Sequence, residues 1–270
     1  MPVSFFKYHT VKTGAWTGST VFSSSGTTGY EPSVHHIEDL NFYLKNAQNC
    51  FVNFFGPLTG YNFIALLPSY LERENSSLVA MIDHFIRASN SPFSGFYLHN
   101  IKELLKDLEK LKTDNRKTIL WGVSFALLDL AENEKPDLSH CMVFETGGMK
   151  GRRKEITRQE LHSALCSGLN VEKIYSEYGM TELLSQAYTK GSDKFYCPPW
   201  MRVIGRDTTD PLRKGLLDET SGINVVDLAN LHSIAFLEIE DMGKIFHDGS
   251  FEVLGRLDNS DVRGCNLMVE

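Results

Sequence analysis

Three short segments carry residue types suited to phosphate, a nucleotide base or a metal ion. Residues 22–29, FSSSGTTG, set two glycines and five hydroxyl residues in eight positions. Glycine lets backbone amides approach an anion closely, and Ser and Thr hydroxyls add donors without bulk, so the segment suits phosphate. No Gly-Lys-Ser/Thr follows, so it is not a Walker loop. The plainer alternative is a flexible Ser/Gly linker, which would dilute its glycines through a longer polar tract. Residues 175–182, YSEYGMTE, offer an aromatic face in Tyr178, a hydroxyl in Thr181 and a metal-seeking carboxylate in Glu182. They lie between a strand predicted over 171–175 and a helix predicted over 183–188, which is where open α/β sheets bind ligands. The same residues also read as a helix start, with Thr181 as N-cap and Glu182 favoured by the helix dipole. Residues 145–154, ETGGMKGRRK, join Gly147 and Gly148, which admit close backbone approach, to four basic residues in six positions. That run reads first as a solvated helix face; the functional alternative is that one of Lys150, Arg152 or Arg153 reaches a phosphate.

Such segments need a scaffold, and the hydrophobic pattern supplies one. Apolar runs at 63–67, 118–122, 142–145 and 171–175 predict strands, while apolar residues three and four apart predict helices over 77–88, 100–112, 125–131 and 156–165. The alternation predicts an α/β fold with a mostly parallel sheet flanked by helices. Beyond residue 190, Gly, Pro, Asp and Thr clusters separate β-rich runs such as 223–228 and 234–239. Residues 246–254 predict a hairpin whose Asp248-Gly249 pair supplies positive φ angles. The expected organisation is an α/β core over 1–190 and a β-rich C-terminal part of the same domain over 191–270.

Composition narrows the function classes. A chain of 270 residues, 42% hydrophobic and 23% charged, can bury a large core. With 34 acidic against 27 basic residues, its net charge of -7 argues against nucleic acid as the main partner. The longest apolar stretch, 119–128, falls short of the roughly 18 residues of a membrane span, and the first residues lack the apolar run of a signal peptide. The expectation is a cytoplasmic protein with no membrane span. Five widely spaced cysteines, Cys50, Cys141, Cys166, Cys197 and Cys265, with no CxxC pair, predict free thiols. The histidines at 35, 36, 84, 99, 162 and 232 show no ligand spacing.

Taken in order, these segments resemble the adenylate-forming superfamily, and within it the acyl-protein synthetase (LuxE-like) branch related to phenylacetate-CoA ligases. FSSSGTTG is similar to the phosphate loop, ETGGMKG to the adenine-side glycine segment, EYGMTE to the Tyr-Gly-x-Thr-Glu motif, and IEDMGKIFHDGSFEVLGRLDNSD to the final Asp and Gly-Arg-x-Asp segment. PVSFFKYH and ETGGMKGRRKE resemble the acyl-protein synthetase branch in particular. The resemblance implies ATP and Mg²⁺ as cofactors. It implies that Ser24, Ser25, Gly26, Thr27, Thr28 and Gly29 hold the β and γ phosphates, and that Gly147 and Gly148 pass along the adenine. Tyr178, with Gly179 beside it, would stack on that ring; Thr181 would donate to the α-phosphate and Glu182 would hold Mg²⁺. Asp241 would accept from the ribose hydroxyls, Arg256 would pair with ribose or phosphate, and Asp258 falls at the hinge. The implied reaction activates a carboxylic acid, a fatty acid in this branch, to an acyl-adenylate and passes the acyl group to a thiol. That thiol would be the chain's own Cys265, a partner protein's, or that of CoA.

The pattern departs from the superfamily in three places. Ser33 stands where a phosphate-binding lysine is expected, a replacement in keeping with the acyl-protein synthetase branch. The chain stops at Glu270, without the small C-terminal lid and its lysine, and the phosphate loop begins as early as residue 22. Two other readings follow: a truncated or non-catalytic nucleotide-binding module, or an aryl- or acyl-CoA ligase core working with a separate lid. Cys265, near Arg263, reads either as an acyl-carrying thiolate or as a small buried hydrophobe. For the acyl pocket the candidates are Tyr70, Ser76, Ser77, Trp121, Phe125 and Met180, with Glu72, Arg73 and Asn75 on an adjoining loop.

Overall fold

The computed structural model describes residues 1–18, 20–24, 31–68, 75–98, 100–147, 156–210 and 212–256. The chain opens with a single helical turn α1 (Phe5–Tyr8), then a ribbon of β1 (Thr20–Ser23) and β2 (Val34–Ile37), then α2 (Leu40–Phe55). Strands and helices alternate next: β3 (Tyr61–Leu66), α3 (Ser77–Ser89), β4 (Gly95–Tyr97), α4 (Ile101–Lys110), β5 (Lys117–Val123), α5 (Ser124–Asn133), β6 (Cys141–Thr146), α6 (Arg158–Leu169) and β7 (Ile174–Tyr178). Among the described residues that follow there are six strands and no helix: β8 (Ala187–Thr189), β9 (Phe195–Tyr196), β10 (Met201–Arg206), β11 (Thr220–Asp227), β12 (Phe236–Ile245) and β13 (Phe251–Arg256).

Eleven strands form one mixed sheet in the order β10-β11-β12-β13-β9-β8-β7-β6-β5-β3-β4. β4, β3, β5, β6 and β7 are parallel, and from β7 outward every pairing is antiparallel. The chain lays β4 on one side of β3 and β5 on the other, so strand order reverses between β3 and β5, and ligands favour such reversals at the carboxyl strand ends. β3, YNFIAL, is buried at every position, as a strand covered on both faces must be. The helices carry their own stop and start signals: Asp39 and Ser76 accept from first-turn amides, Thr157 and Glu160 form a reciprocal capping box, and Asn90 and Asn170 end helices in the left-handed region. α5 and α6 pack closely because residue 168 is glycine; a Cβ there would lie 2.5 Å from the Ala131 carbonyl oxygen.

Two apolar cores result. One packs α2 to α6 on the parallel strands around Phe51, Trp121 and Phe144. The other joins Val3, Phe6 and Leu183 to the antiparallel strands through Phe195, Ile239 and Phe251.

The expected α/β class, parallel sheet and β-rich second half are all present. Three local expectations are corrected. The strand predicted over 171–175 runs instead as Ile174–Tyr178, because the pairings with β6 begin at Ile174 and those with β8 carry it on to Tyr178. The helix predicted over 183–188 does not form; residues 181–186 are a turn and loop leading into β8. In the hairpin between β12 and β13 only Gly249 has positive φ, at 80°, because a three-residue turn closed by the Phe246–Ser250 pair needs one left-handed residue.

Candidate active site

The carboxyl ends of β5, β6 and β7 bring the sequence-predicted residues into one neighbourhood. At the end of β6, Gly147 has φ of 72°, a left-handed conformation that favours glycine, and its carbonyl accepts from the Ser124 hydroxyl at 3.2 Å. Ser124 also donates to the buried Glu145 at 3.1 Å, and Glu145 faces His162 at 3.5 Å and Arg158 at 3.9 Å. Burial pushes the Glu145 carboxyl up, but His162 and Arg158 outweigh it and hold it below the ordinary value. The Arg158 guanidinium lies 4.2 Å over the Phe195 ring.

At the end of β7, Tyr178 sits edge-on to Phe251 and tilted to Phe195, with ring centroids 5.3 and 5.6 Å away. Its hydroxyl donates to Asp241 on β12 at 2.6 Å, and Asp241 in turn faces Arg256 on β13 at 3.5 Å. Burial, with the Asp241 charge added, raises the phenol well above its ordinary pKa. Gly179 turns the chain beside Glu177; a Cβ at this position would collide with the Glu177 carboxyl at 2.2 Å.

Beyond that turn, Thr181 and Glu182 are buried in a loop held by side chains from two distant segments. Asp227 Oδ2 accepts from the amides of Leu184 and Ser185 at 3.0 and 2.9 Å, and its Oδ1 accepts from the Ser185 hydroxyl at 2.6 Å. Asn230 donates to the Glu182 carbonyl at 2.8 Å and accepts from the Leu184 amide at 3.0 Å. Asn46 of α2 donates to the Leu184 carbonyl at 2.8 Å. A helix over 183–188 would need the Glu182 and Leu184 carbonyls for itself, so the polar clamp replaces it, and Thr181 is not a helix N-cap.

The β1–β2 ribbon meets this loop from the other side. The Ser24 amide donates to the Ser33 carbonyl at 3.0 Å and the Ser24 hydroxyl accepts from the Ser33 amide at 2.8 Å, which closes the base of the glycine-hydroxyl segment. Ser33, which stands in place of a lysine, is buried close to the Glu182 carboxyl and favours its charged form. Burial pushes the Glu182 carboxyl up, while Ser33, Arg256 and Lys7 oppose that shift. Ser24, Ser33, Thr181, Glu182, Tyr178, Asp241, Arg256 and Gly147 thus share one end of the sheet. Ser25, Gly26, Thr27, Thr28, Gly29, Gly148, Asp258 and Cys265 lie outside the described residues, as do Lys150, Arg152, Arg153, Tyr70, Glu72 and Arg73.

Other candidates have plainer roles. Trp121 and Phe125 belong to the helical core, Ser76 caps α3, the Ser77 carbonyl accepts from Tyr43, and Met180 packs against the second core. The Asn75 carbonyl accepts from the Ser23 amide at 2.9 Å, tying the loop after β3 to the ribbon. The cysteines among the described residues are free; Cys50 is core, and Cys141 and Cys166 are half-buried against it. Burial pushes the thiols of Cys50, Cys141 and Cys197 up to about 12. No helix among the described residues is long and apolar enough to cross a membrane. His35, Asp227, Asn230 and Ser233 were not singled out by spacing; the one signal was a polar run, DLANLHS, between two β-rich segments.

Comparison with solved structures fixes the architecture. Over 90% of this chain and 49% of the other, the structure matches ATP-bound MatB from Rhodopseudomonas palustris with a TM-score of 0.66 at 17% identity. The chain has the fold of the large N-terminal domain of adenylate-forming enzymes. The same adenylate-forming fold is matched in O-succinylbenzoate Coenzyme A synthetase from Bacillus subtilis in complex with AMP, with a TM-score of 0.59, 16% identity, and 91% and 50% of the two chains covered. It is matched again in a long-chain-fatty-acid-CoA ligase from Archaeoglobus fulgidus, with a TM-score of 0.60, 15% identity, and 88% and 51% covered. The chain spans about half the length of these structures. No family model matches the sequence, and no curated protein matches it.

Proposed function

We propose that this chain activates a carboxylic acid with ATP to an acyl-adenylate and passes the acyl group to a thiol, in the manner of an acyl-protein synthetase. The observation that carries the reading is the Tyr178–Asp241–Arg256 chain, in which the Tyr178 hydroxyl donates to Asp241 and Asp241 faces Arg256, beside the buried Thr181–Glu182 loop. The adenylate-forming fold supports it independently.

Ser24 to Gly29 would cradle the β and γ phosphates, with Gly147 and Gly148 along the adenine. Tyr178 and Gly179 would flank the base, Asp241 would accept from the ribose, and Arg256 would pair with ribose or phosphate. Among the described residues no three His, Cys, Asp or Glu side chains gather as a metal site. That suits Mg²⁺, which takes one or two carboxylates and draws its other ligands from phosphate and water. Glu182 is the carboxylate that would hold it, and Mg²⁺ when bound would neutralise phosphate charge. In the first step a carboxylate oxygen of the acid attacks the α-phosphorus, the bond to the β-phosphate breaks, and pyrophosphate leaves. Thr181 donates to the α-phosphoryl oxygens as charge builds there, a contribution of about 3 kcal/mol by the usual loss on removing such a donor. In the second step a thiolate attacks the acyl carbon and AMP leaves. Burial raises the thiols of Cys50, Cys141, Cys166 and Cys197, which does not suit that role, so the reading assigns the acceptor to Cys265 or to an external thiol, on a partner protein or CoA.

The test is pyrophosphate release from Mg²⁺ and ATP over a panel of fatty, aryl and amino acids. Release for fatty acids, reduced at least about 100-fold by Glu182→Ala, is the expected result. Equal release by that variant would remove the metal role, and silence across the panel would remove the reaction.

A further inference from the structure

We infer that His35 is a positioning residue for the Thr181–Glu182 loop: its neutral imidazole fixes the Thr181 carbonyl, and so the direction in which the Thr181 and Glu182 side chains meet the nucleotide phosphates. The inference rests on the nucleotide reading given above. His35 lies on β2, only 1% exposed, and bridges two segments far from it in sequence. Nδ1 lies 2.9 Å from the Thr181 carbonyl oxygen and Nε2 lies 2.9 Å from the Ser233 hydroxyl. A carbonyl only accepts, so Nδ1 carries the proton, and in a neutral ring Nε2 then accepts from Ser233. Burial supports the neutral form, lowering the pKa to about 4 against the pull of the Thr181 carbonyl.

The geometry around the ring is tightly determined. The Phe6 ring meets it edge-on at 5.0 Å, and the Ser233 carbonyl accepts from the Thr13 hydroxyl at 2.5 Å, so its hydrogen-bonding partner is itself anchored. Two residues earlier on the same segment, Ser33 exchanges two hydrogen bonds with Ser24, at 3.0 and 2.8 Å. The segment that follows Ser24 and Ser33 therefore holds the Thr181–Glu182 loop by the Thr181 carbonyl.

Asn and Gln substitutions separate this role from simple packing. Asn places an amide N–H near the position of Nδ1, whereas Gln places its amide near Nε2 and leaves the Thr181 carbonyl without its donor. Calorimetry of the full-length chain with Mg·ATP and, separately, with adenosine reads the difference. His35→Gln is expected to bind Mg·ATP about tenfold more weakly with adenosine affinity unchanged, because the lost bond orients the phosphate-facing loop only. His35→Asn is expected to restore Mg·ATP affinity to within about threefold of wild type. Ser233→Ala, which keeps the Thr181 bond but frees the ring to turn, is expected to lose about threefold. If His35→Gln does not fold, Ser233→Ala decides: wild-type Mg·ATP affinity in that variant overturns the inference. Equal losses for Asn and Gln, or a matching loss of adenosine binding, overturn it as well. A wild-type chain that binds neither Mg·ATP nor adenosine overturns the nucleotide reading and this inference with it, while Mg·ATP binding that His35→Gln leaves intact overturns this inference alone.

Discussion

The Glu177 carboxyl lies buried beside the Gly179 turn, accepting from the Thr146 hydroxyl. Burial pushes it up to about 7 from an ordinary value of 4.5, and the nearby Glu145 charge adds to that shift. In the unfolded chain the group loses its proton near 4.5, while the folded chain keeps it until about 7. Its contribution to stability is therefore fully present in acid and is lost as pH rises through that interval. Glu177→Gln cannot titrate, so relative to wild type it should gain stability between about pH 5 and pH 8, with a ceiling of about 3 kcal/mol. Urea unfolding across that range measures the gain, and a difference that stays flat with pH would mean the carboxyl is not buried as a titrating group. Residues of this kind show how far sequence reaches at the residue scale. Tyr178, Thr181 and Glu182 were picked out by their types and order and Asp241 and Arg256 by the resemblance, and the fold brings Tyr178, Asp241 and Arg256 together. His35 was not, since its two partners lie 146 and 198 residues away and nothing local marks a histidine that will be enclosed.

Among the elements, the loop over 181–186 is where pattern and tertiary structure part. Its apolar residues and the preceding Thr-Glu pair favour a helix, yet Asn230 and Asn46 take up the Glu182 and Leu184 carbonyls a helix would use, while Asp227 holds the Leu184 and Ser185 amides. Burial raises the Asp227 carboxyl while four hydrogen bonds from Ser185, Ala229 and Leu184 oppose it, so this is a buried acceptor whose removal leaves several donors unmet. Asp227→Ala should cost about 3 kcal/mol or more, expose the Leu184 and Ser185 amides to hydrogen exchange, and suppress pyrophosphate release along with it. Native exchange protection at those two amides in the variant would show that the clamp does not hold the loop. The strands were easier to read, because β3 and β5 are apolar runs flanked by turns. The β7 boundary was missed by three residues, since only pairing with β6 and β8 decides where the ladder begins and ends. At the α5–α6 contact, Gly168→Ala gains helix propensity but drives a methyl onto the Ala131 carbonyl. A net loss of about 1–3 kcal/mol in urea unfolding is expected, and an unchanged midpoint would mean the helices separate freely.

Over the whole molecule, one sheet spans two cores that hydrophobic pattern alone separates only by the change from alternating helices to β-rich segments. The candidate site straddles the boundary: Gly147 and Tyr178 end parallel strands, whereas Asp241 and Arg256 come from the antiparallel side. That arrangement was not legible, because the pairing of β13 with β9 rests on residues 56 positions apart, Phe251 and Phe195. Their rings stack with centroids 5.3 Å apart, and both contact Tyr178. The two halves of the site are therefore held in register by an aromatic contact as much as by the ladder, which has only that one pair at this point. Phe251→Ala should cost about 3–5 kcal/mol by leaving a cavity at the junction, and Tyr178 should then lose its seat. Phe85, buried in the helical core and remote from Tyr178 in sequence and layer, provides a control of similar cost. Both variants should unfold at lower urea concentration, but at temperatures where each remains folded only Phe251→Ala should weaken adenosine binding, by about tenfold or more. Calorimetry on the two proteins distinguishes a site built across the junction from one carried by the parallel strands alone, for which the two substitutions would leave adenosine affinity equally intact.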